Sequence, residues 1–190
     1  MAQILVFGDS ETYGAWDSKG GWVSRLRQFI DKTNKEHIIY NLGVDGNTTE
    51  SLLNRFEFET RQRLWQGEEV IFIFQIGVND SATISFEKFR ENLKNLIKIA
   101  QKYSMKIVFL GLTSVNEAKT NPVPWNNIFY KNEKIRKYND FIKIVCKENK
   151  IYFIEIKNIS LSDDDVHPDD KGHEKIFMTA KDFLIKNKII

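Results

Sequence analysis

Residues 4–10 read Ile-Leu-Val-Phe-Gly-Asp-Ser, an apolar run that ends directly in a glycine, an acid and a serine. Apolarity without alternation is typical of a strand covered on both faces, as in a parallel sheet between two layers of helices. In such sheets, ligands bind outside the carboxyl ends of the strands. The stretch therefore predicts a buried strand with Ser10 at the edge of the sheet where a site forms.

Four more apolar runs follow, at residues 38–40, 70–74, 107–110 and 151–154. The segments between them have apolar residues at spacings of three and four, most clearly over residues 86–100, where Ser85 is placed to cap a helix. Residues 47–66 predict a helix less strongly. Alternating strands and helices with right-handed crossovers predict a three-layer α/β domain that contains a parallel sheet.

Composition limits the classes of function. A chain of 190 residues has the length of one domain, so we expect residues 1–190 to form a single domain. Its 28 basic and 26 acidic residues give a net charge of +2, which predicts neither nucleic-acid binding nor membrane insertion. Cys146 is the single cysteine and lies beside an apolar helical stripe, so we expect a buried thiol. The N-terminal sequence is unlike a signal peptide, so a cytoplasmic location is expected. The oligomeric state is left open.

The predicted carboxyl ends of the strands carry the groups that acyl transfer needs. A serine follows the first strand, two glycines follow the second, an asparagine follows the third and a histidine preceded by aspartates follows the fifth. These segments are Gly8-Asp9-Ser10, Asn41 to Gly46, Gly77-Val78-Asn79-Asp80, and Asp163-Asp164-Asp165-Val166-His167-Pro168. A serine nucleophile needs a neighbouring base. His37 begins a strand at the opposite end of the sheet and His173 enters the last helix, so His167 is the candidate base.

As a set, these segments resemble the sequence blocks of the SGNH or GDSL-type esterases and lipases. Gly8-Asp9-Ser10 matches the serine block, although Glu11 stands where the family's name implies leucine. Asn41 to Gly46 matches the glycine block, with Asn47 where many members carry aspartate. Gly77-x-Asn79-Asp80 and Asp164-x-x-His167 match the other two blocks. The resemblance covers residues 4 to about 180.

The resemblance implies a flavodoxin-like fold, with five parallel strands in the order 2-1-3-4-5, and the hydrolysis of carboxylic esters. By position, Ser10 would be the nucleophile that forms an acyl-enzyme, His167 its base and Asp164 the residue that orients His167. The oxyanion hole would consist of the backbone N–H groups of Ser10 and Gly46 and the side chain of Asn79. No cofactor and no metal ion are implied.

The substrate is less closely defined by the sequence. The segment 113–131 is long for a loop at this edge and is rich in aromatic residues. We expect Trp125, Phe129 and Tyr130 from this segment, together with Trp16, to bind substrate, either as a lid or as a fixed wall. Small soluble esters are favoured, with acetylated sugars and lysolipids as candidates, and thioesters are also open.

Two other functions compete with ester hydrolysis. The acidic residues around His167, together with Asp9, suggest a metal-dependent phosphohydrolase, because hard cations prefer oxygen ligands. That function is disfavoured because no His-x-x-x-His spacing is present. A flavodoxin-like module that binds a nucleotide or flavin would need a phosphate-binding loop. Acidic Asp9 and Glu11 lie where the phosphate would be, and no Gly-x-Gly-x-x-Gly motif is present.

Overall fold

Five parallel strands form the centre of the computed structural model, which describes residues 2–33, 36–123 and 127–190. The strands are β1 (Ala2–Gly8), β2 (His37–Gly43), β3 (Glu69–Gln75), β4 (Lys106–Leu110) and β5 (Tyr152–Ile154). Their spatial order is β2-β1-β3-β4-β5, which confirms the predicted topology. All four pairings are parallel.

The helices cover both faces of this sheet. They are α1 (Ser10–Tyr13), α2 (Gly21–Thr33), α3 (Thr49–Arg61), α4 (Val78–Thr83), α5 (Phe86–Ala100), α6 (Asn132–Glu148) and α7 (Asp170–Lys186). On one face, Ile4 and Val6 of β1 share a buried cluster with α2 and α7. On the other face, Leu5 and Phe7 share a cluster with α3, α5 and α6. The continuous apolarity of residues 4–7 thus reflects burial on both sides of the strand.

Aromatic rings fill much of the second face. Phe56 of α3 lies 4.9 Å from Phe7 and 5.2 Å from Phe72, measured between ring centroids. Phe74 and Phe109 stack at 4.9 Å on the neighbouring strands. Several of the 14 phenylalanines therefore form one continuous packed layer.

The strand register brings the carboxyl ends of three strands to the same edge. Gly8 at the end of β1 is paired with Gly43 of β2 and with Gln75 of β3. A Cβ atom at Gly8 would overlap the carbonyl oxygen of Gln75 and the hydroxyl of Thr12. Glycine is therefore required here by close packing, and it allows the chain to turn directly into α1.

The structure confirms the helix predicted less strongly over residues 47–66 and the Ser85 cap, whose hydroxyl accepts the N–H of Lys88 at 3.2 Å. It adds α1 and α4, which sequence periodicity did not predict because helices of 4 and 6 residues are too short to display it. Cys146 is buried, and burial raises the pKa of its thiol to about 12. Within the described parts of the chain, no helix is both long and apolar enough to cross a membrane.

The aromatic layer predicts a strong contrast between two phenylalanines of α3. Phe56 is fully buried, whereas Phe58 is 69% exposed. We expect Phe56→Ala to lower the free energy of unfolding by about 3–5 kcal/mol, because it removes a buried ring and leaves a cavity. Phe58→Ala should change it by less than about 0.5 kcal/mol. Urea unfolding of both variants measures the difference, and equal losses would contradict the packing described.

Candidate active site

Three side chains at the sheet edge lie in a continuous line of short contacts. Ser10 Oγ lies 2.9 Å from His167 Nε2, and His167 Nδ1 lies 2.5 Å from Asp164 Oδ2. Ser10 is the first residue of α1, directly after β1, while Asp164 and His167 lie in the loop before α7. Residues 157 positions apart in the chain are therefore in hydrogen-bond contact.

Asp164 is held in place by its own loop. Its Oδ1 accepts the backbone N–H groups of Val166 and His167, both at 2.9 Å, and the hydroxyl of Ser162 at 2.7 Å. Burial by itself would raise the pKa of Asp164, but the hydrogen bonds from the His167 backbone and ring, with those from Val166 and Ser162, outweigh it and lower this pKa. The carboxylate is thus stabilised in its charged form.

The two neighbouring aspartates face elsewhere. Asp163 is exposed, and Asp165 accepts a hydrogen bond of 2.9 Å from the Asn116 side chain and lies 3.4 Å from Lys119 Nζ. Asp164 is therefore the member of the acidic run that contacts the imidazole of His167.

Ser10, Gly46 and Asn79 line one cleft of about 470 Å³, together with His167. Gly46 has a φ of +69°, in the left-handed region that favours glycine, and a Cβ atom there would meet no other atom within 4 Å. It is therefore the backbone conformation of the turn, rather than lack of space, that requires glycine at this position. All three predicted oxyanion-hole residues are brought to the same cleft.

The side chain of Asn79 has a partner at each end of its amide. Asn79 Nδ2 donates to the backbone carbonyl of Asn47 at 3.0 Å, and Asn79 Oδ1 accepts the hydroxyl of Tyr130 at 2.8 Å. Nδ2 carries two hydrogens, so the second is available to the cleft.

Asp80 ties the Asn79 helix to the Gly46 loop. Both of its carboxylate oxygens accept the backbone N–H of Thr49 at 3.0 Å, and the Thr49 hydroxyl donates to one of them. Burial raises the pKa of Asp80 to about 6, although the hydrogen bonds from Thr49 oppose this rise. The place of Asp80 directly after Asn79 is the one sign of this role in the sequence.

Arg55 of α3 contacts the loop that contains Gly46 and Asn47 and the ends of the two strands beside it. Its Nε donates to Asn47 Oδ1 at 2.9 Å, and its Nη2 donates to the carbonyl of Leu42 at 2.8 Å and to that of Gly8 at 3.3 Å. One guanidinium thus joins the ends of β1 and β2 to the residue whose carbonyl contacts Asn79. No sequence motif marked Arg55, because its partners are mainly backbone carbonyls.

The predicted substrate-binding residues differ in their positions. Trp16 and Tyr130 line the cleft, whereas Phe129 is 52% exposed and lies outside the set of described residues that line it. Ile128 takes a place in the wall that the sequence analysis did not anticipate. Trp125 lies outside the described residues.

Trp16 is 65% exposed, yet its backbone is firmly anchored. It has a φ of +63°, and the next residue, Asp17, forms a buried ion pair with Arg25. The indole Nε1 lies 3.0 Å from His167 Nδ1. The indole N–H is directed at the same ring nitrogen that lies 2.5 Å from Asp164, so Trp16 and Asp164 compete for it: Nδ1 can accept from the indole only in the tautomer that does not donate to Asp164.

Two acids are buried beneath the nucleophile. Glu11 accepts hydrogen bonds from Gln75 Nε2 at 2.7 Å and from the Thr113 hydroxyl, and Gln75 in turn accepts from Trp22 Nε1 at 2.7 Å. Burial raises the pKa of Glu11 to about 7, against the opposing effects of Thr113 and His167. Burial, followed by the charge of Glu11, raises the pKa of Asp9 well above its ordinary value. Glu11 is thus part of a buried polar network where the family's name implies leucine.

The other two histidines have structural contacts. His37 Nδ1 accepts the backbone N–H of Ala2 at 3.2 Å, at the far end of the sheet. His173 is fully buried in α7, with Nε2 lying 3.2 Å from the carbonyl oxygen of Ala15, and burial lowers its pKa. Among the residues that the structure describes, no three His, Cys, Asp or Glu side chains are grouped so that they could hold a metal ion.

Comparisons with known proteins identify the family of the chain and structures with the same fold. The model of the GDSL-like lipase/acylhydrolase family matches residues 6–175. A lipase/acylhydrolase from Enterococcus faecalis has a similar structure, with a TM-score of 0.81 and 19% identity over 98% of this chain and 97% of that one. A G-D-S-L family lipolytic protein from Veillonella parvula has a TM-score of 0.77 and 19% identity, over 97% of this chain and 99% of that one. The acetylxylan esterase Axe2 from Geobacillus stearothermophilus has a TM-score of 0.74 and 18% identity, over 96% of this chain and 92% of that one. No curated protein matches the chain in sequence.

The raised pKa of Glu11 predicts a pH-dependent stability. An acid whose pKa rises from 4.5 to about 7 on folding binds its proton more tightly in the folded state, so its contribution to stability falls as pH rises between these values. Over this pH range, the free energy of unfolding should decline by about 3 kcal/mol because of Glu11. Glu11→Gln should remove most of it, because the amide can donate to Thr113 and accept from Gln75 without titrating.

Urea unfolding between pH 4.5 and 7.5 measures this dependence. Glu87→Gln is the matched control, since Glu87 lies in the first turn of α5 but is exposed. It should keep the pH dependence of the natural chain. If Glu11→Gln also kept it, the assignment of this titration to Glu11 would be wrong.

Proposed function

The chain belongs to the GDSL-like lipase/acylhydrolase family and is a carboxylic ester hydrolase, and from this premise we propose that Ser10 is its nucleophile, His167 its base and Asp164 the residue that orients the base. The observation that carries the proposal is the line of contacts from Ser10 Oγ through the imidazole to Asp164 Oδ2, of 2.9 and 2.5 Å. We further propose that residues 1–190 act as a single domain.

In the first half of the reaction, Ser10 Oγ attacks the carbonyl carbon of the ester while its proton passes to His167 Nε2. Asp164 accepts a hydrogen bond from Nδ1–H and stays ionised, which selects the tautomer with a free Nε2 and stabilises the imidazolium that forms. When the tetrahedral intermediate collapses, the imidazolium protonates the departing alkoxide and an acyl-enzyme remains on Ser10. A water molecule, deprotonated by His167, then attacks the acyl group and releases the acid.

The negative charge that develops on the carbonyl oxygen needs donors within the cleft. The backbone N–H groups of Ser10 and Gly46 and the free N–H of Asn79 are our candidates, since all three residues line the cleft with the nucleophile. In serine hydrolases, one such donor typically contributes a factor of about 10²–10³ to turnover. No cofactor has a part in this proposal.

For the substrate, we propose small acyl esters of neutral alcohols, with acetylated sugars as the leading class. Asp45 lines the cleft and is exposed, so its carboxylate would repel phosphate-bearing esters such as lysolipids. The exposed face of Trp16 offers an apolar surface of the kind that sugar rings stack on. The structural similarity to an acetylxylan esterase is in keeping with this class.

Ser10→Ala tests the proposal as a whole. The natural chain should hydrolyse a chromogenic acetate and an acetylated sugar, and should act more slowly on a lysophospholipid. Ser10→Ala should lose about 10⁴-fold or more of kcat with an unchanged circular dichroism spectrum, because no acyl-enzyme can form. A fluorophosphonate probe should label Ser10. Hydrolysis by the variant at the natural rate would exclude Ser10 as the nucleophile.

The acidic run before His167 offers an internal control for the orienting residue. Asp164→Asn should lower kcat by about 10⁴-fold, because an amide facing Nδ1 stabilises the tautomer that cannot act as a base. Asp163→Asn, which alters an exposed neighbour, should leave kcat within about twofold of the natural value. Steady-state kinetics on a chromogenic acetate decide between them. Similar small losses in both variants would contradict the role of Asp164.

A further inference from the structure

The amide of Asn79 is useful to an oxyanion only if its N–H, and not its carbonyl oxygen, faces the reacting atoms. We propose that Tyr130 is the positioning residue that sets this orientation, through the hydrogen bond of 2.8 Å from its hydroxyl to Asn79 Oδ1. This inference rests on the proposed role of Asn79 in the oxyanion hole. It gives Tyr130 a part in the reaction besides that of lining the cleft.

The two partners of Asn79 permit one orientation of its amide. The backbone carbonyl of Asn47 can only accept, so the group 3.0 Å from it must be the NH₂. The phenol of Tyr130 can donate, and it then meets the carbonyl oxygen. A flipped amide would place two carbonyl oxygens against each other at Asn47 and the NH₂ against the phenolic hydroxyl.

The surroundings of Tyr130 keep its hydroxyl protonated. Burial, followed by the nearby charges of Asp9, Glu11 and Asp164, raises the pKa of this phenol to about 12. Tyr130 is therefore a permanent hydrogen-bond donor over the whole range in which a histidine base titrates, and it does not take part in proton transfer itself.

The backbone around Tyr130 is also held in place. Its carbonyl accepts a hydrogen bond of 2.9 Å from the side chain of Asn121, and the backbone N–H of Val123 donates to Ile128 at 3.2 Å. Tyr130 is 5% exposed and lies two residues before α6. The hydroxyl is thus presented to Asn79 from a residue whose own backbone is held by a hydrogen bond.

Without the hydroxyl, the Asn79 amide loses the contact that aligns its oxygen. The terminal torsion of asparagine is broad, so the amide, held then only by the carbonyl of Asn47, can turn over a wider range and move its other N–H away from the reacting atoms. Such a loss weakens a contact that matters in the transition state, and it should appear in kcat rather than in KM.

Tyr130→Phe is the direct test, and Tyr138→Phe is the matched control. Tyr138 is 4% exposed and its hydroxyl donates at 2.7 Å to the carbonyl of Ile84, at the C-terminal end of α4. We expect kcat of Tyr130→Phe on a chromogenic acetate to fall about 10- to 100-fold, with KM within about twofold and an unchanged pH profile. Tyr138→Phe should keep the natural kcat. Rates are expressed per active site titrated with a fluorophosphonate, so that unfolded protein does not count.

The same substitution in the Asn79→Ala background isolates the proposed route. If Tyr130 acts through Asn79, Tyr130→Phe should cost less than about twofold there, whereas independent residues would show the full loss again. A natural kcat in Tyr130→Phe, a loss confined to KM, or an undiminished loss in the Asn79→Ala background would each overturn the inference. Failure of the proposed function itself would appear differently, as an active Ser10→Ala variant.

Discussion

Gly8 lies beside Gly43 on one side and Gln75 on the other, because three strands run parallel in one register. This arrangement places the ends of β1, β2 and β3 at one edge of the sheet, where Ser10 of α1, Gly46 of the loop after β2 and Asn79 of α4 follow them. The lack of a side chain at Gly8 lets β1 turn directly into α1 against the Gln75 carbonyl. A shift of one residue in this register would separate the nucleophile from both other loops.

Each part of the candidate site is held by a polar side chain from another element. Asp80 fixes the start of α3, Arg55 supports Asn47, and Tyr130 contacts Asn79. Buried polar groups are costly unless they are paired, and networks that are fully paired specify one geometry. The cost is visible in Glu11, whose pKa burial raises to about 7. Polar burial around the site thus favours a single arrangement over maximal stability.

The five strands and His167 as the candidate base could be predicted from the residues themselves, because burial on both faces leaves a continuous apolar run and the other two histidines lie away from the predicted site. The strand order and the choice of Asp164 among three aspartates came from the resemblance to the esterase family. The roles proposed for these residues stay predictions. Short helices such as α4 leave no periodic signal. Contacts such as that of Arg55 with backbone carbonyls depend on where loops meet in space. The directions of side chains in an irregular loop also depend on its fold in space. Phe129 and Tyr130 were therefore both expected to bind substrate, although of the two only Tyr130 lines the cleft.

The anchored backbone at Trp16 bears on the entropy of ligand binding. A large exposed side chain on a mobile loop would have to be ordered whenever a ligand docked against it, and that ordering would weaken the affinity. Here the ion pair between Asp17 and Arg25 has already fixed the main chain on folding. For any ligand that docked against Trp16, the ordering cost would therefore be largely confined to the two side-chain torsions of the indole.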